Sequence, residues 1–475
     1  MPASAPPPPV YFGKPAVSFR VQARPLGFDA DGYARWLLVM KYFDRSGKPT
    51  RIMANSDVDW ISPGNYVQWQ TRLRFEQPSA IIRTHTNGPI IATVRSNYPA
   101  FGAQTVRTDT RSWTGARVVA EAIGPHMTQI GWFPQENVSA RIVRIDAAGT
   151  RKTVALLAGP SSTYRDTSVA ADARYRYEVY RSTKAPELTQ PVQTPPEPPL
   201  TSIANASGKA MWLYFSTNPL DTIYVKRLNP DAIVQQAVRA GLHYVELRTS
   251  YGAYWEITPE AKPTIDAIID GLAAHGIRTI AWSVPRDTAS DDVAQTVRAA
   301  YYRTANGNTF GGVAVDLERG SDFMGGDPNG LNALWMYVQA ARQALGPRYL
   351  IVSTIEDPFF ENLSAAQYPY AQIARFSDAL QPMAYWRMMR RTPPDAVQLA
   401  TLLRASYQRT LALAGRTIPV SIGGETTAAP SGAPSAQEIA ASLLASKQLG
   451  AIGECFFAWD GTQPYQWDAI AAFTW

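Results

Sequence analysis

Two carboxylates stand two positions apart at the end of an apolar run that predicts a β-strand. Asp316 and Glu318 close the segment GGVAVDLE. Because side chains at i and i+2 of a strand point to the same side, these carboxyls lie roughly 6–7 Å apart along it. Burial and mutual repulsion raise the pKa of one member of such a pair, which then stays protonated as a general acid. The alternative is a structural pair tied to Arg248 or Arg387.

Further acidic, polar and aromatic side chains follow other apolar runs in the second half of the chain. Acids transfer protons and stabilise an oxocarbenium-like centre, whereas aromatic faces stack on sugar rings. This mixture is typical of carbohydrate chemistry. The candidate catalytic residues are Glu318, Asp316, Tyr385 and Glu425, and the candidate substrate-binding residues are Trp282, Trp386, Trp459, Met383, Gln381, Glu246, Arg248 and Glu356.

The elements that must position these side chains alternate between strand and helix after Gly208. Glycine ends several of the helical patterns, and the sequence predicts eight βα units, which indicate a (β/α)8 TIM barrel over 208–475 with its active site at the carboxyl ends of the strands. A doubly wound open sheet is the alternative, but no glycine-rich phosphate loop follows the first strand. The predicted strands are 211–216, 243–248, 278–284, 312–317, 349–354, 380–386, 418–423 and 452–459.

GGVAVDLE and, two strands later, QPMAYW resemble the family 18 glycoside hydrolases, the chitinase-type barrels. The fourth strand of that family carries D-G-x-D-x-D-x-E and its sixth carries M-x-Y-D. The resemblance implies that Glu318 is the general acid and that Asp316 orients a substrate N-acetyl group. It matches Met383 and Tyr385 to the sixth-strand pair and Trp459 to the floor of the sugar site. It also implies substrate assistance, in which the N-acetyl oxygen attacks the anomeric carbon.

Three positions depart from those motifs. Gly311 and Ala314 stand where the first two Asp residues of the fourth-strand motif belong, and Trp386 replaces the Asp of M-x-Y-D. These changes remove a proton-storing partner and an acetamide ligand, so the N-acetylhexosamine substrate and the substrate-assisted route are both open. The departures also favour a rival from another class, a non-catalytic surface, adhesive or filament-forming protein that reuses a degenerate barrel.

Two other acids are alternatives for the second catalytic group. Glu425 in SIGGET follows the predicted seventh strand, where many retaining glycosidases of this fold carry a nucleophile about 5–5.5 Å from the acid. Gly423 and Gly424 leave its direction open, and a surface-loop acid is the other interpretation. Glu356 in STIEDP is a third candidate, because Pro358 marks a turn just after it.

The first half of the chain alternates apolar and polar residues between turn signals and predicts two all-β sandwiches. Residues 10–115 resemble bacterial Ig-like domains of the invasin type, on the turn YFDRSGKP and the strand IIATVRS. Residues 116–183 resemble a fibronectin type III module. There Trp132 matches the core tryptophan, and YRYEV (175–179) matches the late strand with its tyrosine corner.

Proline marks the predicted boundaries. Residues 1–9 form a Pro-rich leader, and residues 184–207 read as a semi-rigid Pro-rich linker before the barrel. The leader has neither the charged nor the apolar region of a signal peptide. It resembles the mature start of an exported protein, and a cytosolic start is equally allowed by these residues alone. We expect an extracellular or cell-surface location.

Charge and metal-binding residues narrow the function classes. Residues 1–200 carry a net charge of +9 and the remainder −3, but without a Lys/Arg cluster, so the sequence predicts no nucleic-acid partner. One cysteine and four unclustered histidines predict no metal site and no cofactor, and no apolar run is long enough for a transmembrane helix. We expect a secreted or cell-surface protein that hydrolyses a chitin-, peptidoglycan- or exopolysaccharide-type polymer or binds a cell-surface glycan, with self-association through the β domains as a further expectation.

Overall fold

The structure is a computed structural model that describes most of the chain in two compact units. The first unit covers residues up to Ala122 together with 127–195, and the second covers 123–126 and most of the chain from Pro196 onward. The described residues are 11–12, 14–52, 57–69, 78–113, 115–136, 138–181, 185–214, 229–258, 261–286, 290–320, 330–389, 393–429 and 431–475.

The first unit begins with two antiparallel sheets packed face to face. Their strands are β1 (Tyr11–Phe12), β2 (Ala16–Phe28), β3 (Ala34–Asp44), β4 (Pro49–Ile52), β5 (Asp57–Ile61), β6 (Tyr66–Trp69), β7 (Ser79–Thr84), β8 (Pro89–Tyr98) and β9 (Ala100–Asp109). One sheet has the order β1-β4-β3-β7-β6 with β2 also on β3, and the other is β5-β8-β9. Strand β3 alternates buried and half-buried residues along its length, and its inward side packs Trp36 and Met40 against Trp60 of the facing sheet.

A second sandwich follows in the same unit. Its strands are β10 (Val118–Gly124), β11 (Met127–Glu136), β12 (Ala140–Asp146), β13 (Arg151–Leu157), β14 (Ser161–Asp166), β15 (Arg174–Arg181), β16 (Glu187–Leu188) and β17 (Val192–Gln193). They form the sheets β10-β11-β14 and β13-β12-β15-β16, with β17 also on β15. Trp132 and Tyr177 are fully buried in the core between the sheets. The expected core position of Trp132 is confirmed.

The prediction of a linker over 184–207 was wrong for its first part. Strands β16 and β17 lie inside that range and pair with β15, so the segment completes the second sandwich. Its prolines fall outside the hydrogen-bonded positions, as an edge strand allows. At the other end, Ile203 and Ala206 pack into the core of the barrel, so the last residues of the range also belong to a folded unit.

The two sandwiches of the first unit meet at the loop between β2 and β3. Arg83 donates to Asp29 (3.0 Å) and to Asp31 (2.8 Å), and all three side chains are buried. Beside this network, Gly131 of the second sandwich lies so close to the loop that a Cβ there would stand 2.5 Å from the backbone of Ala30. Glycine at 131 therefore permits the close approach of two backbones.

We expect Gly131→Ala to destabilise the first unit by about 1–3 kcal/mol, because the added methyl overlaps backbone atoms that cannot rotate away. The urea midpoint of unfolding, followed by tryptophan fluorescence, measures the effect. Gly88→Ala is the matched control, since a Cβ at Gly88 meets no atom within 4 Å. Equal midpoints for the two variants would contradict the close approach.

The second unit is a ring of eight parallel strands. They are β18 (Gly208–Leu213), β19 (Tyr244–Tyr251), β21 (Arg278–Val284), β22 (Val313–Leu317), β23 (Ile351–Ile355), β24 (Ala379–Pro382), β25 (Ser421–Glu425) and β26 (Gly453–Phe457), with the short β20 (Tyr254–Trp255) antiparallel to β19. The order β24-β23-β22-β21-β19-β18-β26-β25 is continuous, and parallel bridges at Leu380–Val420 and Met383–Gly423 join its two ends. The predicted (β/α)8 barrel is thereby confirmed.

Helices follow the strands on the outside of the ring. They are α1 (Pro230–Arg239), α2 (Lys262–Ala274), α3 (Ser290–Ala300), α4 (Leu331–Leu345), α5 (Tyr370–Phe376), α6 (Ala396–Ala414), α7 (Ala436–Gln448) and α8 (Pro464–Ala472). Side-chain caps begin several of them: Asn229 caps α1, and Asp395 and Ser435 form capping boxes on α6 and α7. Within the described residues, no helix is long and apolar enough to span a membrane.

Candidate active site

The predicted carboxylate pair lies at the carboxyl end of β22. Ala314 packs in the barrel interior, so the even-numbered residues of this strand face the axis. Asp316 is 5% exposed and accepts a hydrogen bond at Oδ2 from Trp282 Nε1 on the neighbouring strand β21 (3.2 Å). Its other oxygen, Oδ1, is buried and has no hydrogen-bond partner among the described residues. Such an atom is costly to bury and points to a ligand at this position.

Glu318 is half-buried at the mouth of the barrel, and the described part of the chain offers it no hydrogen bond or ion pair. Burial, with the neighbouring charges of Asp316, Glu356 and Glu361, raises the pKa of Glu318 to about 9. Burial likewise raises the pKa of Asp316 to about 7, against the hydrogen bond from Trp282 that lowers it. At neutral pH Glu318 is therefore protonated and able to donate, while Asp316 titrates.

Glu356 is tied to Arg319. The backbone N–H of Arg319 donates to Glu356 Oε1 (2.7 Å), and the Arg319 guanidinium donates to Glu361 (2.5 Å). Burial, with the hydrogen bond and charge of Glu356, raises the pKa of Glu361 to about 8. The charge of Glu356 and, once it is ionised, that of Glu361 contribute to the raised pKa of Glu318.

Tyr385 connects the remaining acids. Burial raises its pKa well above the usual value, and the charges of Asp316, Glu318 and Glu425 raise it further, so these three carboxyls lie within electrostatic reach of the phenol. Tyr385 therefore stays protonated and can donate a hydrogen bond. The structure thus brings the four predicted catalytic residues to one end of the barrel, at the ends of β22, β24 and β25.

Glu425 turns towards the backbone after β24. Its two oxygens accept hydrogen bonds from the N–H groups of Arg387 and Met388. Burial raises the pKa of Glu425 to about 7 despite these bonds. Both oxygens thus hold the turn that follows Tyr385. A nucleophilic role for Glu425 stays a prediction.

Trp386 cannot serve as a sugar platform in this geometry. It is fully buried, and its Nε1 donates to Glu438 Oε1 on α7 (3.2 Å). Arg387 forms a bidentate ion pair with the same Glu438 carboxylate. The prediction failed because β24 ends at Pro382, so the strand alternation that would place Trp386 at the mouth does not continue.

The aromatic ring at the end of the last strand is Phe457, two positions before the predicted Trp459. Phe457 stacks on Tyr214 (6.0 Å between centroids) and meets Trp282 edge-on (6.4 Å). Trp459 lies beyond the strand and packs against Trp467 of α8 (4.9 Å). The aromatic wall is therefore Trp282, Phe457 and Tyr214. Sequence reasoning missed Phe457 and Tyr214, although both stand at the carboxyl ends of predicted strands.

The barrel interior below the mouth holds a polar pair. Glu246 is fully buried and accepts at Oε1 from Gln381 Nε2 (2.9 Å), which in turn accepts from Thr354 (2.8 Å). Burial raises the pKa of Glu246 to about 8. Arg248, two residues further along β19 and on the same side of the strand, forms an ion pair with Glu256. Glu246 and Gln381 are fully buried in the barrel interior, and Met383 lies at the bridge to Gly423. A substrate-binding role for these residues stays a prediction.

We expect Glu246→Gln to stabilise the protein above neutral pH. The folded state holds a proton on Glu246 that the unfolded chain releases near pH 4.5, so stability is lost as pH rises from about 4.5 to 8. The amide does not ionise and so avoids this loss. At pH 8 the free energy of unfolding of the variant should therefore exceed that of wild type by at least about 1 kcal/mol. Urea unfolding at pH 4.5 and pH 8 measures the difference, with the exposed Asp468→Asn as control. If Glu246→Gln were less stable than wild type at pH 8, the folded state would require the ionised carboxylate of Glu246.

Among the residues that the structure describes, no three His, Cys, Asp or Glu side chains are grouped so that they could hold a metal ion. Cys455 is fully buried in the barrel core. The described side chains at the mouth offer carboxyl, phenol and aromatic groups. A protonated carboxyl beside a second carboxyl and an aromatic wall suits proton transfer to a leaving oxygen.

Solved structures with a similar fold include several glycoside hydrolases. The spore cortex-lytic enzyme of Bacillus megaterium is 12% identical over 62% of this chain and 79% of its own, with a TM-score of 0.38. The endo-beta-1,4-mannanase of Thermotoga petrophila is 12% identical over 56% and 75% (TM-score 0.39). The family 18 N-acetylglucosaminidase of Paenibacillus barengoltzii is 11% identical over 56% and 99% (TM-score 0.39).

No protein-family model matches the chain, and no curated protein matches it. The closed ring of eight parallel strands defines the class of this unit as a (β/α)8 barrel. The solved structures above add no argument about its activity or substrate.

Proposed function

We propose that the barrel is a glycoside hydrolase in which Glu318 protonates the leaving glycosidic oxygen. The observation that carries this proposal is the environment of Glu318, a carboxyl at the mouth with a pKa raised to about 9 and with no partner in the described part of the chain. A general acid must hold its proton at working pH and must have a free oxygen to reach the substrate, and Glu318 meets both conditions.

The neighbouring groups support the same reaction. Asp316 presents its unpaired Oδ1 on the same side of the strand and stabilises the positive charge that develops at the anomeric carbon. Tyr385, protonated and close to these acids, would donate a hydrogen bond to the sugar, and Trp282 with Phe457 offers ring surface for it. The residues retained from the family 18 motifs include the match to its general acid, Glu318, so we propose a divergent relative of that family that cleaves a polysaccharide.

The first unit supports a role outside the cell. The sheets β10-β11-β14 and β13-β12-β15-β16 have the strand order of a fibronectin type III module, and the hydroxyl of Tyr175, near the start of β15, accepts from the backbone N–H of Ala170 (2.9 Å) as a tyrosine corner does. We propose that this sandwich is such a module, that the first is Ig-like, and that both present the barrel to a cell-surface or environmental glycan.

A non-catalytic role is the second candidate. The observation that favours it is that Trp386 stands at the sequence position of a motif carboxylate and has its side chain buried against Glu438. A surface or adhesive protein would keep the barrel and lose turnover. Glu318 has no partner among the described residues, which argues for the enzyme, because a structural role is expected to pair a buried carboxyl.

Hydrolysis and its pH dependence distinguish the glycoside hydrolase from the non-catalytic protein. Wild-type protein incubated with chitin, peptidoglycan, mannan and exopolysaccharide preparations should release reducing ends from at least one of them. On that polymer kcat/KM should fall above about pH 9 as Glu318 loses its proton, and below about pH 7 as Asp316 gains one. Release that follows a limb near pH 4.5 instead, or no release from any polymer, would contradict the proposal.

A further inference from the structure

The outer face of β2 and β3 in the first unit carries the cations Arg20, Arg24 and Lys41, and Arg35, further along β3, forms an ion pair with Asp29. Arg20, Gln22 and Arg24 alternate with inward residues along β2, and Lys41 stands directly opposite Arg20 on β3. No acidic residue occurs in 18–24 or 37–43. This face therefore concentrates positive charge on two neighbouring strands.

The arrangement costs stability unless something neutralises it. Like charges directly opposite on antiparallel strands repel, yet Arg20 and Lys41 form such a pair. Neither Arg24 nor Lys41 makes an ion pair or a side-chain hydrogen bond with a described residue, and the Arg20 guanidinium lies over the Phe43 ring (5.0 Å). A pairing that breaks a local rule without a compensating contact points to a function.

The same face holds a groove of about 500 Å³. Its walls and floor are Gln22, Ala23, Arg24, Val39 and Lys41. The cations Arg20 and Arg24 stand roughly 13 Å apart along β2, at about 3.4 Å per residue. Between them an amide can donate to hydroxyls, and the aliphatic surface of Val39 can meet the apolar side of a sugar ring.

We propose that this groove binds an anionic polysaccharide that carries carboxylates on successive sugars. The cations at both ends match such a polymer in charge, and the amide and aliphatic floor match its hydroxyls and ring. Single-stranded nucleic acid fits less well, because its binding relies on exposed aromatic stacking. Of the described side chains on this face, Phe43 is the aromatic one, and Arg20 covers it. The proposal stands independently of hydrolysis in the barrel.

The test compares full-length wild type with R24Q/K41Q for binding to polygalacturonate at increasing salt. Wild type should bind, and the slope of log affinity against log salt should fall by about two in the variant, one for each cation removed from a polyanion contact. The control K152Q/R176Q removes two exposed cations of the second sandwich and should keep the wild-type slope. Neutral dextran should not bind either protein.

Three outcomes would overturn the proposal. Wild type would fail to bind polygalacturonate at low salt, or R24Q/K41Q would keep the wild-type slope, or a random single-stranded DNA would bind more tightly than polygalacturonate and depend on the same two residues. Circular dichroism confirms that each variant is folded, since all four substituted side chains point away from the cores.

Discussion

Glu318→Gln should lower kcat on a responsive polysaccharide by about 10²–10⁴-fold and change KM little. The amide is almost isosteric with the protonated carboxyl and still fills the mouth, but it has no proton to give to the leaving oxygen. The alkaline limb of the pH profile near 9 should disappear with the carboxyl. Reducing-end release under initial-rate conditions measures the effect.

Stability separates loss of chemistry from loss of fold in this variant. The folded state raises the pKa of Glu318 above its unfolded value, so this group costs stability as pH rises from about 4.5 to 9. Glu318→Gln should therefore be at least as stable as wild type at pH 8. Asp468→Asn is the same carboxyl-to-amide change at an exposed position of α8, and this variant should keep full activity. A Glu318→Gln protein that retains more than a tenth of wild-type kcat would exclude Glu318 as the general acid.

Arg387→Met should destabilise the barrel by about 3–5 kcal/mol, because it leaves the buried Glu438 carboxylate without its ion pair. Glu438 also accepts from Trp386, so this ion pair anchors the turn that carries Tyr385. Thermal unfolding of the full-length protein, with Arg404→Met as an exposed control, measures the loss. We expect the residual activity to fall as well, since the turn positions the phenol.

The double variant R387M/E438L distinguishes the buried charge from the packing of the side chain. Removing both partners eliminates the unpaired carboxylate, so the double variant should be more stable than Arg387→Met alone. If the double variant were the less stable of the two, packing of the Arg387 stem would be the main contribution.

The sequence predicts the barrel well where strands are continuous apolar runs. The predicted strand 278–284 coincides with β21, and 312–317 overlaps β22 within one residue, because buried parallel strands need apolar residues on both faces. The register of Asp316 and Glu318 follows from the same run. Helix α5, with seven residues and no side-chain cap, gives too short a pattern to be predicted.

The failures share a physical cause, the point at which a strand stops. MAYW continues the apolar pattern of β24, but the chain leaves the sheet at Pro382 and Trp386 enters the helix layer. The last strand likewise ends at Phe457, so the ring at the mouth is Phe457 and Trp459 packs on α8. Strand ends depend on tertiary hydrogen bonds that local pattern does not encode. The Pro-rich composition of 184–202 predicts no strand. Strands β16 and β17 form there because they pair with β15, a tertiary contact that the local pattern does not encode.

A site-specific titration of the Glu318 carboxyl tests the central claim most directly. Carbon-13 NMR of selectively labelled full-length protein, with Glu318→Gln to assign the resonance, follows its ionisation between pH 4 and 10. The structure predicts a midpoint near 9, so that Glu318 holds its proton at neutral pH. A midpoint near 4.5 would mean an ionised carboxylate at working pH and would contradict the role of Glu318 as general acid.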